Sequence, residues 1–400
     1  MSSRRRRGRR RAILALAVLV LLVALLLGGA GWYYAGQIDA QALAVDPPPG
    51  TPHRNVTVTA LADGRVTLRA SGDEDAHAFD SPDVYGLLWS GGSGVLTGPP
   101  QRGAAGTITR ALQVVSGTAP SSGTPASTSR DVWTDPMAAA GTSFQDVRYP
   151  CAGAQCPAWF VPGRSSTWMV MVHGKGATRE EPLRAMVAAV RGGLPVLDIS
   201  YRNDPGAPRD PSGRYGYGTT EWRDLEQAVR WAGDHGAQHV VLFGSSMGGS
   251  IAASFLEHSR LAGMISGVVL DAPALSLRAA VDLGAEDRSL PLGLPIPRVL
   301  TSTAEWIAGW HVGVDWSATD YLPGTWLQVP ALVFHGTADR TVPTGTSDAF
   351  RSAHPRLVDE VRVPGADHVE SWNADPAAYQ AHESTFLACV TAAAAPACTG

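Results

Sequence analysis

Gly244-Ser245-Ser246-Met247-Gly248 sets a serine hydroxyl between two glycines, directly after the apolar run Val240-Val241-Leu242-Phe243 and ahead of a predicted helix. A strand that turns sharply into a helix needs small residues at the flanks. The turn leaves the central hydroxyl exposed beside a helix N-terminus, where a developing negative charge is favoured. A hydroxyl is a poor nucleophile at neutral pH unless a base takes its proton and an acid orients that base. Two later segments supply such groups in loops past strand-like runs. Ala331-Leu332-Val333-Phe334 leads to Asp339, and Glu360-Val361-Arg362-Val363 leads to His368. Serine, histidine and aspartate so placed suit nucleophilic displacement at an acyl carbon.

Each candidate has rivals. Ser250 also follows a glycine pair, but falls inside the predicted helix; His354 and His382 lie in helix-like stretches. Asp271, after Val268-Val269-Leu270, is the alternative acid, with Asp348 behind it. A loop position just past a strand end selects Ser246, His368 and Asp339. His173 and His335 read as structural residues at strand ends, and Asp367 as a residue shaping the histidine loop.

The elements that must position these groups alternate between strand and helix from Phe144 onward, which predicts a mostly parallel sheet with helices on both faces. Met169-Val170-Met171-Val172 and 194–200 read as strands, and 179–191 and 220–232 as helices. An excursion over 274–328 carries Trp306, Trp310, Trp316 and Trp326, with a helix expected over 298–310. It reads as a modest lid, whose tryptophans would be ordinary core or would line an apolar acyl pocket.

These motifs, in the chain order Ser246, Asp339, His368, resemble the α/β-hydrolase superfamily over roughly 144–387. Ser200-Tyr201-Arg202-Asn203-Asp204, Glu221-Trp222 and Leu270-Asp271-Ala272-Pro273 are similar to its microbial esterase and serine aminopeptidase-like branch, without a deduced role for any of them. The resemblance implies an α/β-hydrolase fold and an oxyanion hole. Its donors would be the backbone N–H of Lys175, in His173-Gly174-Lys175-Gly176, and that of Met247. It also implies a serine hydrolase that needs no cofactor. Lys175 beside that loop reads as a solvent-facing side chain rather than a contact for a substrate anion.

The N-terminus carries seven arginines within residues 1–11, followed by an uncharged stretch over 12–38 that is long enough to cross a ~30 Å hydrocarbon layer. Trp32, Tyr33 and Tyr34 stand where an interfacial aromatic belt would be. A retained anchor is expected, with the basic end cytoplasmic and the rest outside; a cleaved signal ending near Gly28-Gly29-Ala30 would give a secreted protein. The chain's net charge is −4, and with seven arginines and no acid in the first 35 residues the remainder carries −11, which excludes a polyanion binder and with it nucleic acid. Four cysteines permit three pairings. Cys151 with Cys156 across a hairpin turn, and Cys389 with Cys398 at the end of the terminal helix, is the expected one. No His or Cys cluster with finger spacing points to a structural metal.

The expected organisation is a basic tail (1–11), an anchor or signal (12–35), a Pro-rich spacer (36–50), a small β-rich module with its linker (51–142) and the hydrolase domain (143–400). Within the module, Asn55-Val56-Thr57-Val58-Thr59 and Arg65-Val66-Thr67-Leu68-Arg69 alternate around Asp63-Gly64, a hairpin signal. Short β-runs follow at 84–89, 94–97, 107–110 and 112–115, and the Ser/Thr/Pro-rich 116–129 reads as a linker. The leading function is cleavage of carboxyl esters or thioesters of a small-molecule or lipid-like acyl substrate, outside the membrane, through an acyl-enzyme on Ser246. A serine peptidase and a catalytically silent binding module are the alternatives.

Overall fold

The structure is a computed structural model that describes residues 2–45, 54–71, 79–286, 288–290, 294–392 and 398. These fall into two compact units, Met1–Ala44 with Arg278–Ala318, and Val45–Leu277 with Thr319–Gly400.

In the larger unit the first six strands, β1 (Val56–Ala62), β2 (Arg65–Ala70), β3 (Tyr85–Trp89), β4 (Gly92–Arg102), β5 (Thr107–Gly117) and β6 (Pro125–Ser129), close an antiparallel barrel in the order β1-β2-β5-β4-β3-β6. Alternation builds it: Val56, Val58, Val66 and Leu68 point inward while the threonines between them point out. Asp63 and Gly64 both take positive φ, 51° and 68°, as a two-residue hairpin turn requires. Two expectations change here. The runs at 107–110 and 112–115 form one strand, and 116–129 is not a linker, because it holds the end of β5 and all of β6. The small polar residues of β6 pair with both β1 and β3, so open edges on either side, not an apolar pattern, make this segment a strand.

The second sheet has β7 (Gln145–Cys151), β8 (Ala154–Val161), β9 (Thr167–Val172), β10 (Val196–Ile199), β11 (His239–Ser245) and β12 (Ile265–Asp271). Two short strands, β13 (Ser289–Leu290) and β14 (Leu294–Pro295), form a ribbon in the small unit, before β15 (Ala331–Gly336) and β16 (Val358–Val363) complete the sheet. Its order is β16-β15-β12-β11-β9-β10-β8-β7, parallel from β16 to β10 and antiparallel at β8 and β7. β9 and β15 are buried along their whole length, which explains why they read as unbroken apolar runs.

The helices are α1 (Ser2–Ile38), α2 (Pro136–Ala140), α3 (Leu183–Arg191), α4 (Trp222–Asp234), α5 (Met247–His258), α6 (Leu277–Glu286), α7 (Arg298–Ile307), α8 (Gly345–Ala353), α9 (Ser371–Ala374) and α10 (Pro376–Val390). α3 starts later than the expected residue 179. Pro182 caps it, and the residue before a proline is disfavoured in helical conformation, so Glu181 stays in the preceding turn.

In the small unit α1 outlasts the expected 12–35 span and continues as a π-helical turn over Asp39–Leu43. The basic segment is thus helical from Ser2, and a spacer does not begin at 36. Ala35 and Ile38 are buried against Ala304, Ile307 and Ala308, which extends the helix past its lipid-length stretch. The Pro47-Pro48-Pro49-Gly50 spacer lies outside the described residues. The excursion is shorter than expected at its far end. Asp320 bridges Ser276, Tyr321 N–H donates to the Leu275 carbonyl and Trp326 stacks on Phe350, so 319–328 belongs with the large unit.

Cys151 and Cys156 are bonded across the β7–β8 turn, and Cys389 is bonded to Cys398, each pair with Cα atoms 5.6 Å apart. Closing a loop with a separation of only 5 residues removes little unfolded-state entropy. Cys151→Ser with Cys156→Ser should therefore leave a folded protein that loses at most about 2–3 kcal/mol in urea unfolding. A double variant that fails to fold would contradict this.

Candidate active site

β11 ends at Ser245, and α5 begins at Met247, so the whole turn is made at Ser246, which sits at φ 49° and ψ −117°. A non-glycine residue held there costs roughly 1–3 kcal/mol, and its surroundings impose it. The Ser246 N–H donates to the Asp271 carbonyl, and the Ser246 carbonyl accepts from Gly249 and Ala274. The flanking glycines are steric requirements: a Cβ on Gly244 would stand 2.6 Å from the Gly248 carbonyl, and one on Gly248 would collide with the Val172 carbonyl of β9. Ser250 lies inside α5, where its hydroxyl donates to the Ala274 carbonyl.

His368 Nε2 is 2.9 Å from Ser246 Oγ, and His368 Nδ1 is 2.8 Å from Asp339 Oδ2. The structure thus brings the three sequence-selected residues into one hydrogen-bonded chain at the carboxyl ends of β11, β15 and β16, where open α/β sheets place their ligands. Burial pushes the Asp339 carboxyl up, but hydrogen bonds from His335 and His368, the charge of His368 and the Val342 N–H outweigh it and hold the group well below the usual carboxylate range. Asp339 Oδ1 also accepts from Thr341 N–H. An ionised acid on Nδ1 fixes that nitrogen as the donor and leaves Nε2 free to accept the serine proton.

His335 is more than a strand-end residue: its Nε2 lies 3.2 Å from the same Asp339 oxygen, while Nδ1 meets Ser347 Oγ at 2.7 Å. Asp367 fulfils its expected role. Its carboxylate accepts from Arg340 and from the His368 N–H, clamping the acid loop to the histidine loop. The rival acid, Asp271, is buried at the end of β12 without a hydrogen bond to His368. Burial raises its pKa to about 6 against the pull of Arg184 and Ser371, and Oδ1 lacks a protein partner. Asp348 pairs with Arg362 on the surface.

On the other side of the serine, Gly174 lies so close that an added Cβ would sit 3.0 Å from Ser246 Cβ, so the Gly174 backbone packs against the serine side chain. The Lys175 ammonium lies 5.5 Å from the centre of the Tyr215 ring. His173, fully buried, anchors the loop through Nε2 to Asp204 at 2.8 Å and Nδ1 to the Gly174 carbonyl at 2.9 Å.

Sequence reading passed over Glu181, whose buried carboxylate organises the site from behind. Oε1 accepts from the Gly174 N–H at 2.8 Å and from Ser245 Oγ at 2.6 Å, while Oε2 accepts from Arg130 at 3.2 Å. Burial works against its ionisation, but Arg130, Arg184 and the Ser245 and Gly174 donors overcome it, bringing its pKa down to about 2. Arg130, just past β6, also donates to the His368 carbonyl at 3.4 Å. The one signal was the acidic pair Glu180-Glu181 before a helix-starting Pro182. Asp204 and Asp224 also acquire structural partners, in His173 and Arg202 respectively.

The His173–Asp204 pair makes a pH prediction. Burial lowers the His173 pKa, but the Asp204 charge and hydrogen bond raise it to about 9, above the ordinary 6.5. A raised folded-state pKa contributes stability that is complete below pH 6.5 and is lost as pH climbs through 9. Melting temperature should therefore fall between pH 6.5 and 9 in the natural chain and fall less in Asp204→Asn. Equal slopes would contradict the pairing.

No family model matches this chain, and no curated protein matches it by sequence. Solved structures do resemble it. The Pyrococcus furiosus esterase Pf2001 is 19% identical with a TM-score of 0.51, the match covering 64% of this chain and 94% of that one. An esterase from Rhodococcus is 16% identical with a TM-score of 0.42, over 61% of this chain and 99% of that one. A predicted hydrolase from Thermoplasma acidophilum is also 16% identical, with a TM-score of 0.42, over 62% of this chain and 99% of that one. At such identity the Pyrococcus likeness is one of fold, and with the sheet order and the strand–serine–helix turn it gives this chain the α/β-hydrolase fold.

Proposed function

We propose that the protein is a membrane-anchored serine hydrolase that cleaves carboxyl esters or thioesters outside the cytoplasmic membrane. One observation carries the chemistry: the continuous hydrogen-bonded chain from Ser246 Oγ through His368 to the ionised Asp339. In the first step Ser246 Oγ bonds to the acyl carbon as its proton passes to His368 Nε2. The N–H groups of Lys175 and Met247 receive the oxyanion. Collapse of the tetrahedral adduct breaks the bond to the alcohol or thiol, which leaves with the proton from Nε2. Water, deprotonated by the same nitrogen, then attacks the acyl-serine and returns the acid and the free hydroxyl. Asp339 stays ionised throughout, balancing the imidazolium.

The anchor reading is supported by a helical stretch over Ile13–Leu43, 31 residues long, whose most apolar window holds no buried residue. Seven arginines precede it, which favours a cytoplasmic N-terminus. Two cysteine pairs at bonding distance suit an oxidising exterior.

Ser246→Ala should abolish hydrolysis of short-chain esters in a protein that still folds. His368→Ala and Asp339→Asn should each lower turnover on the order of 10³-fold or more, and Asp271→Asn far less. A larger loss in Asp271→Asn would place the acid on the wrong strand. For the topology, protease added to spheroplasts of an expressing host should digest the part beyond residue 44. Its survival intact would argue against the outward orientation, and its recovery in the soluble exported fraction would favour cleavage near Ala30.

A further inference from the structure

In the small unit, α7 and the π-helical turn that continues it over Ala308–Val312 have two different faces. One is buried: Ala304, Ile307 and Ala308 pack on Ala35 and Ile38 of α1, and Gly31 admits Thr303 so closely that a Cβ there would stand 2.7 Å from the Thr303 methyl. The other is apolar and open. Trp306 and Trp310 are 70% and 69% exposed, with their rings stacked 6.3 Å apart, and Val299, seven residues before Trp306, continues the stripe at 55%. Among the described residues, the large hydrophobic side chains that stand exposed all belong to this unit, except Val114 and Met137.

The position of this face follows from α1. The nineteen steps from Ile13 to Trp32, at ~1.5 Å each, span about 29 Å, close to the ~30 Å hydrocarbon thickness. Trp32 and Tyr33 thus fall at the far boundary of the layer, where tryptophan and tyrosine concentrate. Trp32 lies 6.4 Å from Trp310 and 4.2 Å from His311, ring centre to ring centre. The open stripe of α7 is therefore at the level where the apolar span ends, and continues the lipid-facing surface of the span sideways. Exposed Arg298, at the first position of α7, adds a cation suited to phosphate headgroups.

We propose that Val299, Trp306 and Trp310, together with Trp32 and Tyr33, form an interfacial face that sits in the headgroup region of the leaflet through which α1 emerges. This rests on reading the apolar run from Ile13 to Trp32 as a membrane span. The occupant of the face is phospholipid, because the face is continuous with a surface that only lipid can cover along its length. The inserted segment 278–318 is thereby a membrane-surface element.

The test uses the full chain, unaltered, in phosphatidylcholine–phosphatidylglycerol vesicles containing a phospholipid with a diazirine high in its acyl chain. After illumination, lipid adducts are mapped by mass spectrometry. The expected result is adducts on 13–33 and on the peptide containing Trp306 and Trp310, both several-fold above the level on barrel peptides. Adducts on 13–33 with only background on the Trp306–Trp310 peptide would overturn the inference while leaving the span in place; a protein partner or a second copy would then be the occupant. Background on both regions, in a chain released by alkaline carbonate, would remove the span reading and the inference with it.

Discussion

The buried carboxylate of Glu181 is the point on which the site depends. A single oxygen, Oε1, holds the Gly174 amide of the loop against the serine and the Ser245 hydroxyl at the end of β11, so two segments far apart in sequence are fixed at one atom. A buried anion is costly unless it is paired and fully hydrogen-bonded. Here Arg130 and Arg184 supply the charge. Removing the carboxylate would free both the loop amide and the residue before the strained Ser246.

The same arginines explain what the N-terminal barrel contributes. Arg130 leaves the barrel just after β6 and reaches both Glu181 and the carbonyl of His368. Arg184 donates to the Val369 carbonyl, and Asn373 is held by Val84 and Arg130 through backbone and side-chain bonds. Tyr85 of β3 donates to Glu370. The histidine loop and the start of α9, 368–373, are therefore pinned from outside the hydrolase sheet by residues of the barrel and its exit. This gives the histidine the pre-set geometry that proton transfer demands.

Ser246, Asp339 and His368 were legible because their constraints are local. Glycine at 244 and 248, a serine after an apolar run, and an acid and a histidine each just past a strand all leave marks within a few residues. The supporting residues were not legible. Glu181 reaches Ser245 and Arg130, and Arg130 reaches His368, each dozens of positions away, and Arg130 sits at the end of a stretch whose serines, threonines and prolines look like a linker. β6 shows the same limit: nothing in Pro125-Ala126-Ser127-Thr128-Ser129 marks a strand until the open edges of β1 and β3 are present to pair with it. The extension of α1 past residue 35 likewise depends on α7, a partner some 270 positions along the chain.

The central claim is that Ser246 is a nucleophile activated by His368. A fluorophosphonate bonds covalently to such a serine and to few others. Incubating the folded chain with one near neutral pH, then sequencing the modified peptide by mass spectrometry, should place a single phosphonyl group on Ser246 and none in Ser246→Ala or His368→Ala. Modification elsewhere, or undiminished modification in His368→Ala, would contradict the account.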